Sequence, residues 1–273
     1  MKQMALRLGL ILGAVWLVGG LIAAMSVSEW TTWLGIGVPA VLTVVVVGVV
    51  IWALRRAKNA QGVAGILAGV RTDEDRKRAL DRLDEDFKSN DPAAIFAKAQ
   101  LQMQDDPKQA LRTLEQVNLS KVMAAVADEA RAQRGMIHLM LGEVTQARDL
   151  ADGIDLSRHQ DDRTKAMMSA VIAEAWARTG QAAKAVNTIE LFNPEEASLE
   201  QLRPQIYRAQ AFVYAYANKP KAMRRALKKL VQMDARILGG FMVKKTHPLL
   251  QKEAKLMLEQ SGQLPRKMQF QRS

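Results

Sequence analysis

A unit of about 37 residues recurs four times between residues 93 and 235 and constrains the fold more than any other feature of the chain. In each copy, a helix-favouring segment leads through a short turn into a second such segment with alanine at a fixed place. The marker alanines are Ala110, Ala147, Ala185 and Ala222, at spacings of 37, 38 and 37 residues. Four positions later come Leu114, Ala151, Ile189 and Ala226. One helical hairpin cannot bury its own apolar face, so the pattern predicts an all-α solenoid of about four stacked hairpins.

The turns of these units carry small or polar residues. Asp105, Gly142 and Gly180 each precede a marker alanine by five positions. In the fourth unit, which is read as one residue shorter, Asn218 is predicted to form the turn. These features resemble the tetratricopeptide repeat (TPR) family over residues 93–235. The chain departs from the family in two respects. The family's repeat is about 34 residues long, whereas the repeat here is 37 or 38 residues long. The proline that usually closes each unit of the family is also missing.

The resemblance to the tetratricopeptide repeat family implies a protein partner. In that family the first helices of the hairpins line a concave surface that binds a peptide or a partner helix. By analogy, first-helix side chains of this chain are expected to face such a ligand: Arg131, Arg134, His138, Arg178 and Tyr207. The alternative is that most of them are ordinary solvated residues.

Positive charge is concentrated near the C-terminus. The net charge of the 273 residues is +11. Residues 203–273 hold 16 Lys and Arg against 3 acidic residues, a net charge of +13, so the preceding residues carry −2. Five of these cations share one predicted helix: Lys221, Arg224, Arg225, Lys228 and Lys229. They are predicted to bind an acidic protein or anionic lipid. Nucleic acid is less favoured because aromatic residues are sparse there, and a solvated basic face is the remaining alternative.

Two long apolar runs lie near the N-terminus. Residues 8–25 and 34–54 contain no charged residue, and each is long enough for a transmembrane helix. Lys and Arg flank the pair on its outer sides, whereas residues 26–33 carry none, which predicts that both termini are cytoplasmic. The sequence therefore predicts an integral protein of the bacterial inner or plasma membrane. A cleaved signal peptide is the alternative interpretation of the first run.

Residue types that support catalysis or metal binding are absent or scattered. The chain has no cysteine, which excludes disulfides, Cys-ligated zinc and thiol catalysis. Its histidines, His138, His159 and His247, lack metal-ligand spacing. There is no glycine-rich phosphate loop or serine nucleophile elbow. We therefore predict no enzymatic activity, no cofactor and no bound metal.

The predicted organisation has four parts. A transmembrane hairpin at 1–56 is followed by a juxtamembrane linker and amphipathic helix at 57–92, in which Thr72 begins the helix. TPR-like repeats occupy 93–235, and a basic capping helix and tail occupy 236–273.

The predicted function is a membrane-anchored cytoplasmic scaffold or adaptor for protein–protein interaction or assembly. Two alternatives are a membrane-tethered regulatory module that binds nucleic acid or anionic lipid through the basic C-terminal region, and a subunit of a larger membrane complex.

Overall fold

The computed structural model describes Thr43 and residues 61–103, 105–243 and 246–262. Within these residues the secondary structure is helical and no strand is present, so the all-α prediction is confirmed. The chain divides into two compact units, residues 1–75 and 76–273. Each unit is described by itself.

The described part of the first unit contains helical residues 61–68 and the start of α1 (Asp73–Asp86). Thr72 caps this helix: the backbone N–H of Asp75 donates to Thr72 Oγ1 at 3.1 Å, and the backbone N–H of Thr72 donates to the Asp75 carboxylate at 3.0 Å. The reciprocal pairing satisfies two backbone donors that the helix itself leaves unpaired. The predicted helix start at Thr72 is confirmed.

The described part of the second unit contains the rest of α1, four helical hairpins and a final helix. Each hairpin packs mainly on the next one along the chain, in the solenoid-like arrangement that the sequence predicts. The helices are α2 (Pro92–Gln102), α3 (Pro107–Glu115), α4 (Ala124–Leu141), α5 (Val144–Asp152), α6 (Asp162–Arg178), α7 (Ala182–Ile189), α8 (Arg203–Tyr216), α9 (Pro220–Asp234) and α10 (Pro248–Gln260). Short 3₁₀ helices lie at Leu156–Arg158, Ala197–Leu202 and Ala235–Phe241.

Three hairpin turns share one backbone geometry. Gly142, Gly180 and Asn218 have φ values of 75°, 90° and 54°, in the left-handed region that ends many helices. In each turn the next residue donates its N–H to a carbonyl five residues earlier at 2.8 Å: Glu143 to His138, Gln181 to Trp176, and Lys219 to Tyr214. All three turn residues were predicted from the sequence, and these predictions are confirmed.

The first hairpin turn uses a different device. The Asp106 carboxylate accepts the backbone N–H groups of Lys108 and Gln109 at 2.9 and 3.0 Å, and Pro107 takes the first position of α3. Both features favour a helix start. Asp105, the predicted turn residue, does not have a positive φ among the described residues. This turn is therefore closed by a side-chain cap instead of a left-handed residue.

The register of the fourth hairpin corrects a sequence assignment. The first three marker alanines are fully buried, and each donates its N–H to the carbonyl of the residue four positions earlier. In the fourth hairpin this bond runs from Met223 to Lys219 at 3.0 Å. Met223 and Leu227 therefore hold the positions that the sequence pattern gave to Ala222 and Ala226. The fourth unit has full length, and the predicted one-residue shortening is wrong.

The largest core lies in the last two hairpins and α10. Phe212 of α8 and Phe241, after α9, pack with their ring centroids 5.2 Å apart. From α10, Leu250, Ala254 and Leu258 are buried against the same core. This packing fixes residues 235–243 and 246–262 on the end of the stack.

The predicted membrane localisation is corrected. Among the described residues, no helix combines the length and the apolar character that a membrane crossing requires. This finding contradicts the prediction of an integral inner- or plasma-membrane protein with cytoplasmic termini. The runs at 8–25 and 34–54 lie outside the described residues, except for Thr43, which is helical.

Candidate functional site

Arg134, predicted to face a ligand, holds a loop of its own chain. Its Nε and Nη2 donate to the Leu114 carbonyl at 3.1 and 2.5 Å, and Nη2 also donates to the Val117 carbonyl at 2.6 Å. Burial lowers the pKa of Arg134, and nearby Glu115 opposes that shift. The guanidinium thus supplies further donors to one carbonyl in the last turn of α3 and to one just after the helix. It joins α4 to the preceding inter-repeat loop.

Arg131, one turn before Arg134 on α4, has a comparable role for the loop after α5. Its Nη1 lies 2.8 Å from the carboxylate of Asp128, which is fully buried. Arg158 Nη1 and His159 Nε2, from the loop after α5, lie 3.2 and 3.5 Å from the same carboxylate. A Cβ on Gly153 would meet Arg131 Nε at 2.9 Å, so glycine makes room for this arginine. The group ties the long inter-repeat loop to α4.

His138 and Tyr207 are also paired within the protein. His138 Nδ1 lies 2.7 Å from Glu143 Oε2. The Tyr207 hydroxyl donates to Glu195 Oε1 at 2.5 Å, and Lys229 Nζ donates to the same oxygen at 2.7 Å. Burial and the bond to Glu195 raise the pKa of Tyr207. In the described part of the chain, no group of three or more His, Asp and Glu side chains is arranged to hold a metal ion.

The basic helix α9 divides into paired and unpaired cations. Arg224 donates to Glu253 at 2.8 Å, and Lys229 is bound to Glu195. Lys221, Arg225 and Lys228 are exposed and make no hydrogen bond or ion pair within the described residues. Their spacing of four and three places them on one stripe of α9. That stripe is the part of the predicted basic site that stays available to a ligand.

A cavity of about 440 Å³ brings together parts of three hairpins. The end of α4, at residues 139–142, forms one wall. Arg178 of α6 and Arg208 and Phe212 of α8 form another, and the segment after α9 contributes Gly240, Val243 and Thr246. Ligand sites in proteins have volumes of roughly 300–1,000 Å³ and mostly apolar walls with a few polar groups. This cavity has both properties.

A buried ion network forms the polar wall of the cavity. The side chain of Glu174 is 2% exposed and accepts from Arg208 Nη1 and Nη2 at 2.6 and 3.1 Å. It also accepts from Arg178 Nη1 at 3.0 Å, and that Nη1 donates to the Leu139 carbonyl at 2.9 Å. The two guanidinium carbons lie 4.9 and 5.2 Å from the Phe212 ring centroid. The network therefore links α4, α6 and α8 and orients both arginines.

The rim of the cavity is apolar and open to solvent. Met140 and Val243, which both line it, are 45% and 55% exposed. A Cβ built on Gly240 meets no atom within 4 Å, so the structure leaves open space at that position. Exposed apolar side chains beside a cavity are typical of interaction sites.

The structure brings only one of the ten predicted site residues into the described wall of this cavity. That residue is Arg178. Sequence reasoning missed Arg208, Phe212 and Val243, and it missed the buried Glu174. A signal for Glu174 was present, because this carboxylate interrupts the apolar run 171–177 and precedes Arg178 by four positions. A charged residue in such a run is rarely buried without a partner.

Comparison with known proteins adds no family name. No protein-family model, curated protein or solved structure matches the chain. The solenoid-like helical stack is observed, whereas membership of the tetratricopeptide repeat family stays a prediction.

Proposed function

We propose that the chain is a protein-interaction scaffold of the tetratricopeptide-repeat type, whose second unit binds a partner polypeptide at the cavity between α4, α6 and α8. The observation that carries this proposal is the open cavity itself, with walls from successive hairpins and exposed Met140 and Val243 at its rim. Stacked helical hairpins provide such extended binding surfaces without catalytic groups. Most other predicted ligand-facing residues are engaged in ion pairs and hydrogen bonds of the protein, which favours the cavity over the remaining surface of the hairpins.

The experiment is crosslinking and pull-down from native cell extract with the full chain. A Met140→Ser/Val243→Ser variant removes the apolar rim. Its matched control is Met123→Ser/Leu191→Ser, because those side chains are 49% and 70% exposed and lie outside the described lining of the cavity. We expect a defined set of partners that is lost with the rim variant and kept with the control. Capture of the same set by both variants would refute the proposal.

A second candidate function is nucleic-acid binding, favoured by the unpaired stripe Lys221, Arg225 and Lys228 on α9. Phosphate contacts by such cations give a strong salt dependence. The test measures binding of duplex DNA by the full chain and by a variant with glutamine at all three positions. A charge-matched control carries glutamine at Lys77, Arg82 and Lys88, which are exposed. Loss specific to the α9 variant, with a salt slope reduced by about three, supports this function; equal binding by both variants excludes it.

A further inference from the structure

We propose that the cavity between α4, α6 and α8 recognises an acidic peptide segment in which an Asp or Glu side chain adjoins a large apolar side chain. The inference rests on the proposed function, because it names the chemistry of the partner at the same site. Two properties of the cavity carry it: an excess of positive charge on one wall, and an apolar wall and rim beside it.

The charges of the polar wall do not cancel. Arg178 and Arg208 share a single carboxylate, that of Glu174, so the network carries one net positive charge. Glu174 is buried at the junction of α6 and α8, and among the described residues no other cation pairs with it. A further carboxylate would balance the second arginine. Guanidinium groups bind carboxylates in a directional, forked geometry, which makes this the favoured anion.

The network also has more donors than acceptors. Arg208 uses one N–H of each Nη on Glu174, and no other acceptor for it is present among the described residues. Its side chain is 23% exposed and lines the cavity. Arg178 is almost fully buried, and its Nε has no hydrogen-bond partner. A guanidinium carries more N–H bonds than these contacts employ, so an incoming carboxylate finds donors already in place.

The arginines are held in position before any ligand arrives. Both guanidinium groups lie against the Phe212 ring and are bound to Glu174. Because long side chains lose conformational entropy when a ligand orders them, this prior ordering favours binding. Arg208 is consequently the main residue proposed to contact the carboxylate.

The apolar part of the ligand is indicated by the remaining walls. Leu139, Leu141 and Phe212 line the cavity, and Met140 and Val243 stand half-exposed at its rim. A large apolar side chain inside the cavity would contact Leu139, Leu141 and Phe212. An occupant that ended inside the cavity would leave the rim uncovered, whereas a polypeptide passing across it can cover Met140 and Val243 as well. This favours a peptide over a small apolar acid.

The test uses the full chain and blocked peptides, so that no terminal carboxylate contributes. Nine-residue acetylated and amidated peptides carry a fixed central Phe-Glu pair and mixed flanking residues, and binding is measured by fluorescence anisotropy. Matched pools carry Phe-Gln or Ala-Glu. We expect the Phe-Glu pool to bind about tenfold more tightly than either, because each replacement removes one of the two recognised groups.

The site of binding is tested with neighbouring glycines of one 3₁₀ helix. Gly240→Phe fills the cavity from its wall, and Gly239→Phe is the control, since a Cβ at either position meets no atom within 4 Å and only Gly240 is among the lining residues. We expect binding to fall about tenfold or more in the first variant and to stay unchanged in the second. Neither variant removes a charge from the Glu174 network.

Several outcomes would overturn the inference. Equal binding of the Phe-Glu and Phe-Gln pools, or full binding by Gly240→Phe, would do so. So would binding of 4-phenylbutyrate as tight as that of the peptides, which would make the cavity a small-molecule site. If the peptides fail while partner capture still depends on Met140 and Val243, the acidic chemistry is wrong and the proposed function stands. If capture is also independent of the rim, the proposed function falls.

Discussion

At the scale of single residues, Gly180 and Asn218 both adopt a positive φ, although only Asn218 has a side chain. Both have positive φ and end the first helix of a hairpin. In the left-handed region a Cβ crowds the neighbouring carbonyl, which destabilises most residues by roughly 1–2 kcal/mol. Glycine has no Cβ and avoids this cost, and for asparagine the cost is smaller. The two positions therefore differ in what they tolerate.

We expect Gly180→Ala to lower the free energy of unfolding by about 1 kcal/mol, and Asn218→Gly to leave it unchanged or raise it slightly. Urea denaturation of the full chain, followed by circular dichroism, measures both. Gly239→Ala is the control, because its φ is not positive and nothing crowds an added Cβ. Equal losses at Gly180 and Gly239 would contradict the expectation.

The ion pair of Arg224 and Glu253 joins α9 to α10 and makes stability depend on pH. The hydrogen bond from Arg224 holds the pKa of Glu253 below its ordinary value of 4.5, against burial, which raises it. A carboxylate whose pKa is lower in the folded state stabilises the fold above the unfolded pKa. That contribution is lost as the pH falls from about 4.5 through the lower folded value.

We therefore expect Glu253→Gln to flatten the fall in melting temperature on acidification from about pH 5 to about pH 3. Thermal unfolding at a series of pH values measures the difference from the unaltered chain. Glu85→Gln, at an exposed position of α1, should leave the profile unchanged. A Glu253→Gln profile that follows that of the unaltered chain would show that this pair does not control acid stability.

At the scale of helices, Glu174 joins α6 to α8 from a buried position. Removing one partner of a buried ion pair leaves charge uncompensated and costs about 3–5 kcal/mol, whereas exposed pairs contribute about 0–1 kcal/mol. Glu174→Ala should therefore destabilise strongly. Glu200→Ala should have little effect, because Glu200 is 72% exposed and lies 3.8 Å from Arg203.

Denaturation of Glu174→Ala, Arg208→Ala and the double variant forms a thermodynamic cycle that isolates the interaction. We expect the double variant to lose clearly less stability than the sum of the single losses. Additive losses would show that Glu174 and Arg208 act independently, and the ion network would then not be what joins α6 to α8.

Helical hairpins were predictable from the sequence because their signals are local. A turn residue and a buried alanine lie five positions apart at Gly142 and Gly180, within one stretch of backbone. The pairing of Arg134 with carbonyls 17 to 20 residues away was not predictable, because no pattern in either segment specifies the other. The fourth marker was misplaced because the pattern followed alanine, whereas the turn at Asn218 fixes the register and puts Met223 in that place.

At the scale of the second unit, the helices contact mainly their neighbours along the chain. In such stacks, stability is approximately the sum of hairpin and interface contributions, so a defect is felt locally. Leu250 is fully buried where α10 packs on the last hairpin. Shortening it creates a cavity that costs about 2–5 kcal/mol.

We expect Leu250→Ala to accelerate amide hydrogen exchange in α8, α9 and α10 while leaving α2 and α3 unchanged. Hydrogen-exchange mass spectrometry on the full chain resolves these segments. The variant Leu114→Ala, at a fully buried site of α3, should accelerate exchange in α2 and α3 and leave exchange in α9 and α10 unchanged. A uniform increase in both variants would mean that the unit opens as one cooperative body.

The cavity was the least predictable feature of the molecule. Its described walls come from residues 139–142, from Arg178, from Arg208 and Phe212, and from Gly240, Val243 and Thr246. None of these segments carries a binding motif. Arg178 was identified because it belongs to a first helix of the repeat pattern. Its partners became evident only once the packing of α4, α6 and α8 was known.

The way the cavity is assembled has a consequence for synthesis on the ribosome. Hairpins that contact mainly their neighbours can fold one after another as the nascent chain emerges. The cavity cannot form in this manner, because its last wall, ending at Thr246, is translated after all four hairpins. A nascent or prematurely terminated chain can therefore present a stack of folded hairpins and still lack the complete cavity. The cavity is complete only after the segment that ends at Thr246 has emerged and packed on the stack.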